Sequence, residues 1–95
     1  MIDFDFGDDA ESVIEKEAVK YAKKRGWFVV KLMRCDINSM PDRLFHRKGF
    51  TMYIEFKAPG KPADSQQALR HQQIRGHGIP VHVIDDLGEA RVLLR

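Results

Sequence analysis

A Lys48-Gly49 pair stands between two runs of strand-forming residues, Asp42–Arg47 and Phe50–Lys57. It predicts a β-hairpin closed by a two-residue turn. No other feature of the chain sets so much geometry. With that turn length, paired residues sum to 97, so Arg47 faces Phe50, Phe45 faces Met52 and Asp42 faces Glu55. A turn one residue longer breaks the register. The second strand alternates, with Met52, Ile54 and Phe56 on one face and Thr51, Tyr53, Glu55 and Lys57 on the other. The first is a core face. The second carries an acid and a base two residues apart.

The flanking segments surround this hairpin with helices and two further strands. Residues 9–25 predict a helix, ended by Gly26 just past its C-terminus. On a wheel of ~100° per residue, Ile14, Ala18, Tyr21 and Ala22 form one apolar stripe, and Lys16, Lys20, Lys23 and Lys24 lie on the opposite side. Glu11 falls about 35° from the centre of that stripe, pointing inward, and Glu15 about 75° from it, at the margin. Trp27–Met33 reads as a strand and 34–41 as a loop. Residues 58–63, with two prolines and a glycine, form a second loop. Asp64 is a candidate N-cap for a polar helix over 65–76, whose periodicity is weak. Ile79–Ile84 is a short strand. Asp85 or Asp86 starts a last helix carrying Leu87, Ala90, Leu93 and Leu94. The order α-β-β-β-α-β-α predicts a mixed α/β sandwich around a sheet of about four strands, one domain over 1–95.

The chain has 16 Lys and Arg against 14 Asp and Glu, a net charge of +2. That total conceals an asymmetry. Residues 1–17 hold seven acids (Asp3, Asp5, Asp8, Asp9, Glu11, Glu15, Glu17) and one base, which leaves residues 18–95 at +8. A basic body suits a polyanionic partner. No apolar run approaches the ~18 residues of a membrane span, and the first residues lack a signal-peptide pattern. The lone Cys35 excludes an internal disulfide and fits a reducing compartment, and four scattered histidines match no zinc spacing.

Asp42 opposite Glu55 is the informative pair. Directly opposed residues stand ~5 Å apart at Cβ, where two carboxylates repel. A hard divalent cation resolves that repulsion using few protein ligands. Lys57, on the same face, places an ammonium where it can hold a water or offset charge on a phosphate. Two acids and a lysine around a metal suit phosphodiester hydrolysis.

Met40-Pro41-Asp42 followed by Glu55-Phe56-Lys57 resembles the PD-(D/E)xK nuclease signature. The continuation Lys57-Ala58-Pro59-Gly60, then Gln67, then Gly78-Ile79-Pro80-Val81 resembles the VRR-NUC family, the virus-type replication-repair nucleases. Glu11, Ile14, Tyr21 and Gly26 resemble that family's first helix, so the likeness covers nearly the whole chain. It implies a restriction-endonuclease-like sandwich and Mg²⁺- or Mn²⁺-dependent cleavage of DNA. On that carry-over Asp42 and Glu55 ligate the metal with help from the Phe56 backbone carbonyl. Glu11 joins directly or through water, Lys57 activates the attacking water, and Gln67 supports the site. Glu15 is the alternative to Glu11, whose spacing and angle fit better. Gln67 reads equally as half of a capping box with Asp64, and one side chain does not easily serve both roles.

Arg43, Arg47, Lys48, Lys61, Arg70, His71 and Arg75 are the candidates for contact with the DNA backbone. Trp27, Phe28, Phe45, Phe50 and Tyr53 read mostly as core residues, with nothing in the sequence to support stacking on bases. The resemblance further implies a homodimer cutting branched or four-way DNA, with a helicase or replication partner, in a prokaryotic or phage-infected cytoplasm. The rival readings are a non-catalytic DNA-binding module and a partner-docking domain that keep the fold.

Overall fold

The hairpin register organises the molecule. A computed structural model describes residues 6–95, with side chains from Ala10 onward. In it β2 (Arg43–Arg47) and β3 (Phe50–Phe56) pair antiparallel, with Arg47 opposite Phe50, Phe45 opposite Met52 and Arg43 opposite Ile54. Lys48 and Gly49 both take positive φ, 50° and 81°. Two successive left-handed residues make the I′-type turn whose twist matches that of the strands it joins.

The sheet order is β1-β2-β3-β4. β1 (Phe28–Lys31) is antiparallel to β2, and β4 (Val81–Ile84) is parallel to β3. A parallel step needs a crossover, here α2 (Ser65–Gly76). With α1 (Phe6–Lys24) and α3 (Leu87–Leu94) the order is α-β-β-β-α-β-α, the small mixed α/β sandwich that the sequence predicts. The acids Asp3 and Asp5 lie outside the described residues, as do the side chains of Asp8 and Asp9.

The core fills one face of the sheet. Phe45, Met52, Ile54, Phe56 and Ile84 meet Ile14, Ala18, Val19 and Ala22 of α1 and Ala90 and Leu94 of α3. Tyr21 packs at the margin of this cluster. Gly26, at φ 85°, turns the chain out of α1, with the Trp27 N–H reaching back to the Ala22 carbonyl at 3.1 Å. The Trp27 ring then enters the core and its indole N–H donates to the Leu94 carbonyl at 2.8 Å. Asp86 caps α3 by accepting the Glu89 N–H at 2.8 Å.

Several boundaries differ from the sequence reading, by one residue at the end of α1, the start of β2 and the end of β3, and by more at three others. α1 is already helical at Phe6, the first described residue, where the sequence reading starts it at 9. β1 is four residues rather than seven, and its last residue Lys31 faces Arg43, the first of β2. A last bond from the Leu32 N–H to the Asp42 carbonyl, 3.0 Å, marks where the chain leaves the sheet. β4 starts at Val81 rather than Ile79 because Pro80 has no N–H, while its carbonyl still accepts from Tyr53 at 2.9 Å.

Candidate active site

Asp42 and Glu55 meet at the open end of the hairpin. Pro41, fully buried, ends the loop after β1, and Asp42 is the residue before β2. Its Oδ2 accepts the Phe56 backbone N–H at 2.8 Å. A side chain thus closes the ladder where β2 begins, and the register carried one step past the Arg43–Ile54 pair sets Asp42 opposite Glu55. Glu55 lies on the sheet face away from the main core, yet it is only 3% exposed.

Burial of Glu55 is the work of α2. Gln67 Nε2 donates to Glu55 Oε2 at 3.3 Å, and His71 Nε2 lies 3.4 Å from Oε1. Residues four apart share a helix face, so α2 brings both groups to one carboxylate. Gln67 also completes the capping box: its Oε1 accepts the Asp64 N–H at 3.0 Å while Asp64 Oδ1 accepts the Gln67 N–H at 2.8 Å. The sequence set these two roles against each other, and the structure gives Gln67 both. A primary amide has an acceptor end and a donor end, and each faces a different partner.

The electrostatics record the crowding. Burial pushes the Glu55 carboxyl up to about 8, with the Asp42 charge adding to the effect and Lys57 offsetting part of it. Glu11 and Asp64 push in the same direction as Asp42. Asp42 is also raised, chiefly by burial, against the hydrogen bond from Phe56. His71 is 1% exposed and its pKa is lowered, first by burial and then by Arg75 and Lys57. The same burial disfavours an ion pair in its 3.4 Å contact with Glu55. Glu55 Oε1 and His71 Nε2 are both buried without a hydrogen-bond partner.

The two α1 acids divide their roles. Glu15 takes Arg43 Nε at 2.7 Å and Lys31 Nζ at 3.6 Å, with Glu15 and Arg43 both largely buried. Its charge also bears on Asp42. Glu11 is half-buried, and its charge bears on Glu55.

The candidate DNA contacts fare unevenly. His71 points inward at Glu55, so it presents no surface to a phosphate. Arg43 is committed to Glu15. Arg47 sits at the far end of the hairpin, stacked 4.1 Å over Trp27 and donating to the Arg25 and Arg95 carbonyls, 3.0 Å each. Arg70 holds the Asn38 carbonyl at 2.9 Å and Arg75 the Val81 carbonyl at 2.6 Å. Lys48 and Lys61 are exposed. The inward contact of His71 was missed by sequence reasoning, although its spacing from Gln67 was the available signal.

Among the described residues no group of three or more His, Cys, Asp or Glu side chains is arranged to hold a metal. The donors present are two carboxylates on adjacent strands, one with a buried oxygen lacking a partner. That set fits a hard cation which takes few protein ligands and keeps its waters. A groove of about 590 Å³ runs between Asn38-Ser39 and the Gln66, Leu69, Arg70 and Gln73 side of α2, and its lining does not include Asp42, Glu55 or Lys57.

No family model and no curated protein matches the chain. Among solved structures, one described as a VRR_NUC domain matches with a TM-score of 0.80 and 24% identity, over 88% of this chain and 92% of that one. The fold is that of the VRR_NUC domain.

Proposed function

We propose that the chain is a metal-dependent DNA endonuclease acting on branched or four-way DNA. The observation that carries this reading is the buried Glu55 carboxyl opposite Asp42, raised to about 8 with Lys57 on the same strand face. A fold held together for its own sake has no use for two acids in that position. The VRR_NUC fold supports the same reading.

Asp42, Glu55 and the Phe56 carbonyl would hold Mg²⁺ or Mn²⁺, with Glu11 reached through water. When bound, such a cation lowers the pKa of its water and offsets charge on the phosphate. The chain's own groups do the rest. Gln67 holds the Glu55 carboxyl from α2 by a hydrogen bond, and His71 packs against its other oxygen. Asp42 is oriented by the Phe56 N–H. Lys57 orients the attacking water and stabilises charge as a phosphorus–oxygen ester bond breaks. Lys61 and Lys48 extend the positive surface. A two-fold homodimer would place two such sites on two strands, and a replication partner would deliver the substrate in a prokaryotic or phage-infected cytoplasm.

The test is incubation with flap, splayed and four-way DNA in Mg²⁺ or Mn²⁺, with and without chelator. The expected result is metal-dependent cutting, reduced roughly 10²-fold or more by Lys57→Ala. DNA binding without metal-dependent cuts leaves a non-catalytic module. No DNA affinity at low salt leaves a partner-docking domain.

A further inference from the structure

The face that carries Glu55 is covered at only one end. α2 packs over β4 and, among the described residues, not over β1 or β2, while α1, which meets β1, packs with the core on the opposite face. Three rows of side chains cross that open face. The first is Phe28, His46 and Thr51, neighbours by register across three strands. The second is Val30, Leu44 and Tyr53. The third holds Asp42 and Glu55. Rows on one strand face are two residues apart, about 7 Å.

The first row is built. Phe28, a core candidate by sequence, is instead 68% exposed. Its ring stacks on the His46 imidazole, with centroids 6.0 Å apart and planes 27° apart. His46 Nδ1 is in turn held by Thr51 Oγ1 at 2.7 Å. An exposed ring would ordinarily sample several rotamers, but here each member of the row fixes the next. Tyr53, half-buried, continues the aromatic surface toward the acids. Basic residues stand at both ends, Lys48 in the turn and Lys57 and Lys61 beyond Glu55. Flat π surfaces between cationic ends suit a chain of stacked bases on a phosphate backbone. A duplex keeps its base faces covered, so an unpaired strand is the occupant that uses them.

We infer that this open sheet face is a stacking platform for unpaired bases, so that DNA reaches Asp42 and Glu55 as a single-stranded arm. The direction of travel rests on the nuclease reading of those acids; the binding itself does not. The test measures anisotropy of fluorescein-labelled single-stranded and blunt duplex DNA at low salt in EDTA, for wild type, Phe28→Ala, Phe28→Leu and Phe28→Trp. Circular dichroism verifies the fold of each variant, and sedimentation velocity its oligomeric state. Phe28→Ala and Phe28→Leu should weaken single-strand binding about tenfold and leave duplex binding unchanged, while Phe28→Trp restores it. Equal losses on both DNAs, or no loss with Ala, overturn the platform. So does a variant that changes self-association but not single-strand affinity, which would assign the face to a second copy of the chain. Wild-type cleavage in Mn²⁺ is scored separately. Phe28-dependent binding without cleavage sinks the nuclease and spares the platform; cleavage without Phe28 dependence does the reverse.

Discussion

Glu55→Gln should abolish most of the pH dependence of stability above pH 6.5 in metal-free protein. The Glu55 carboxyl rises from an ordinary value of 4.5 to about 8 in the fold. Between those values the folded chain keeps a proton that the unfolded chain has lost. Folding then takes up a proton, and stability falls as pH rises, levelling off above the folded pKa. His71 and His82 act in the opposite sense and in a lower window, because their lowered values cost stability only as pH falls below the ordinary 6.5. The range from pH 6.5 to 9 therefore isolates the acids. There Glu55 alone should remove about 2 kcal/mol, from ~1.4 kcal/mol per pH unit over the part of the range in which it still holds its proton. Asp42, raised as well, acts in the same direction from its ordinary 3.8 upward, and the window is set by Glu55. Gln is nearly isosteric and does not ionise, so the variant curve should be close to flat. The assay is urea denaturation in EDTA at half-unit steps of pH. Parallel curves for wild type and Glu55→Gln would refute the reasoning. Mg²⁺ at pH 8 to 9 should restore stability to wild type and do little for the variant.

Other expectations follow from individual contacts. Gln67→Ala removes the side-chain half of the capping box and the bond to Glu55, and should lose about 1 kcal/mol and slow cleavage; Gln67→Glu should regain the box but not the rate, as urea melts and nicking assays would show. Arg43→Ala leaves the largely buried Glu15 with only Lys31 at 3.6 Å, and should lower stability by about 1–3 kcal/mol in the same melts. Trp27→Phe removes the donor to Leu94 and should cost about 1–2 kcal/mol, read as a lower thermal midpoint without loss of specific activity at 20–25 °C.

How far the chain can be read without coordinates depends on how local each determinant is. Lys48 and Gly49 specify their own turn, so the hairpin register, and with it the opposition of Asp42 and Glu55, follows from a few neighbouring residues. The stripe of Ile14, Ala18 and Ala22 is likewise local, because a 3.6-residue period shows which side turns inward. Helix α2 carries no such stripe. Its polar sequence leaves its inward face undetermined, so His71 could not be told apart from a solvent-facing histidine until β4 and Glu55 were in place. Arg47 is a second case. Its partners are the carbonyls of Arg25 and Arg95, 22 and 48 residues away in sequence, and only the closed fold brings them together. Phe28 is a third. Strand composition predicts that it is apolar and extended, but which face of β1 remains uncovered depends on where α2 docks.

Gln67 divides one amide between the end of a helix and a carboxylate, and that sharing joins two events that most proteins keep apart. The first turn of a helix frays on its own timescale, and here fraying withdraws the donor from Glu55 in the same motion. Order in the site therefore cannot outlast order in the first turn of α2. Hydrogen exchange at the Gln67 backbone amide, which Asp64 protects, doubles as a clock for how often Glu55 loses that restraint.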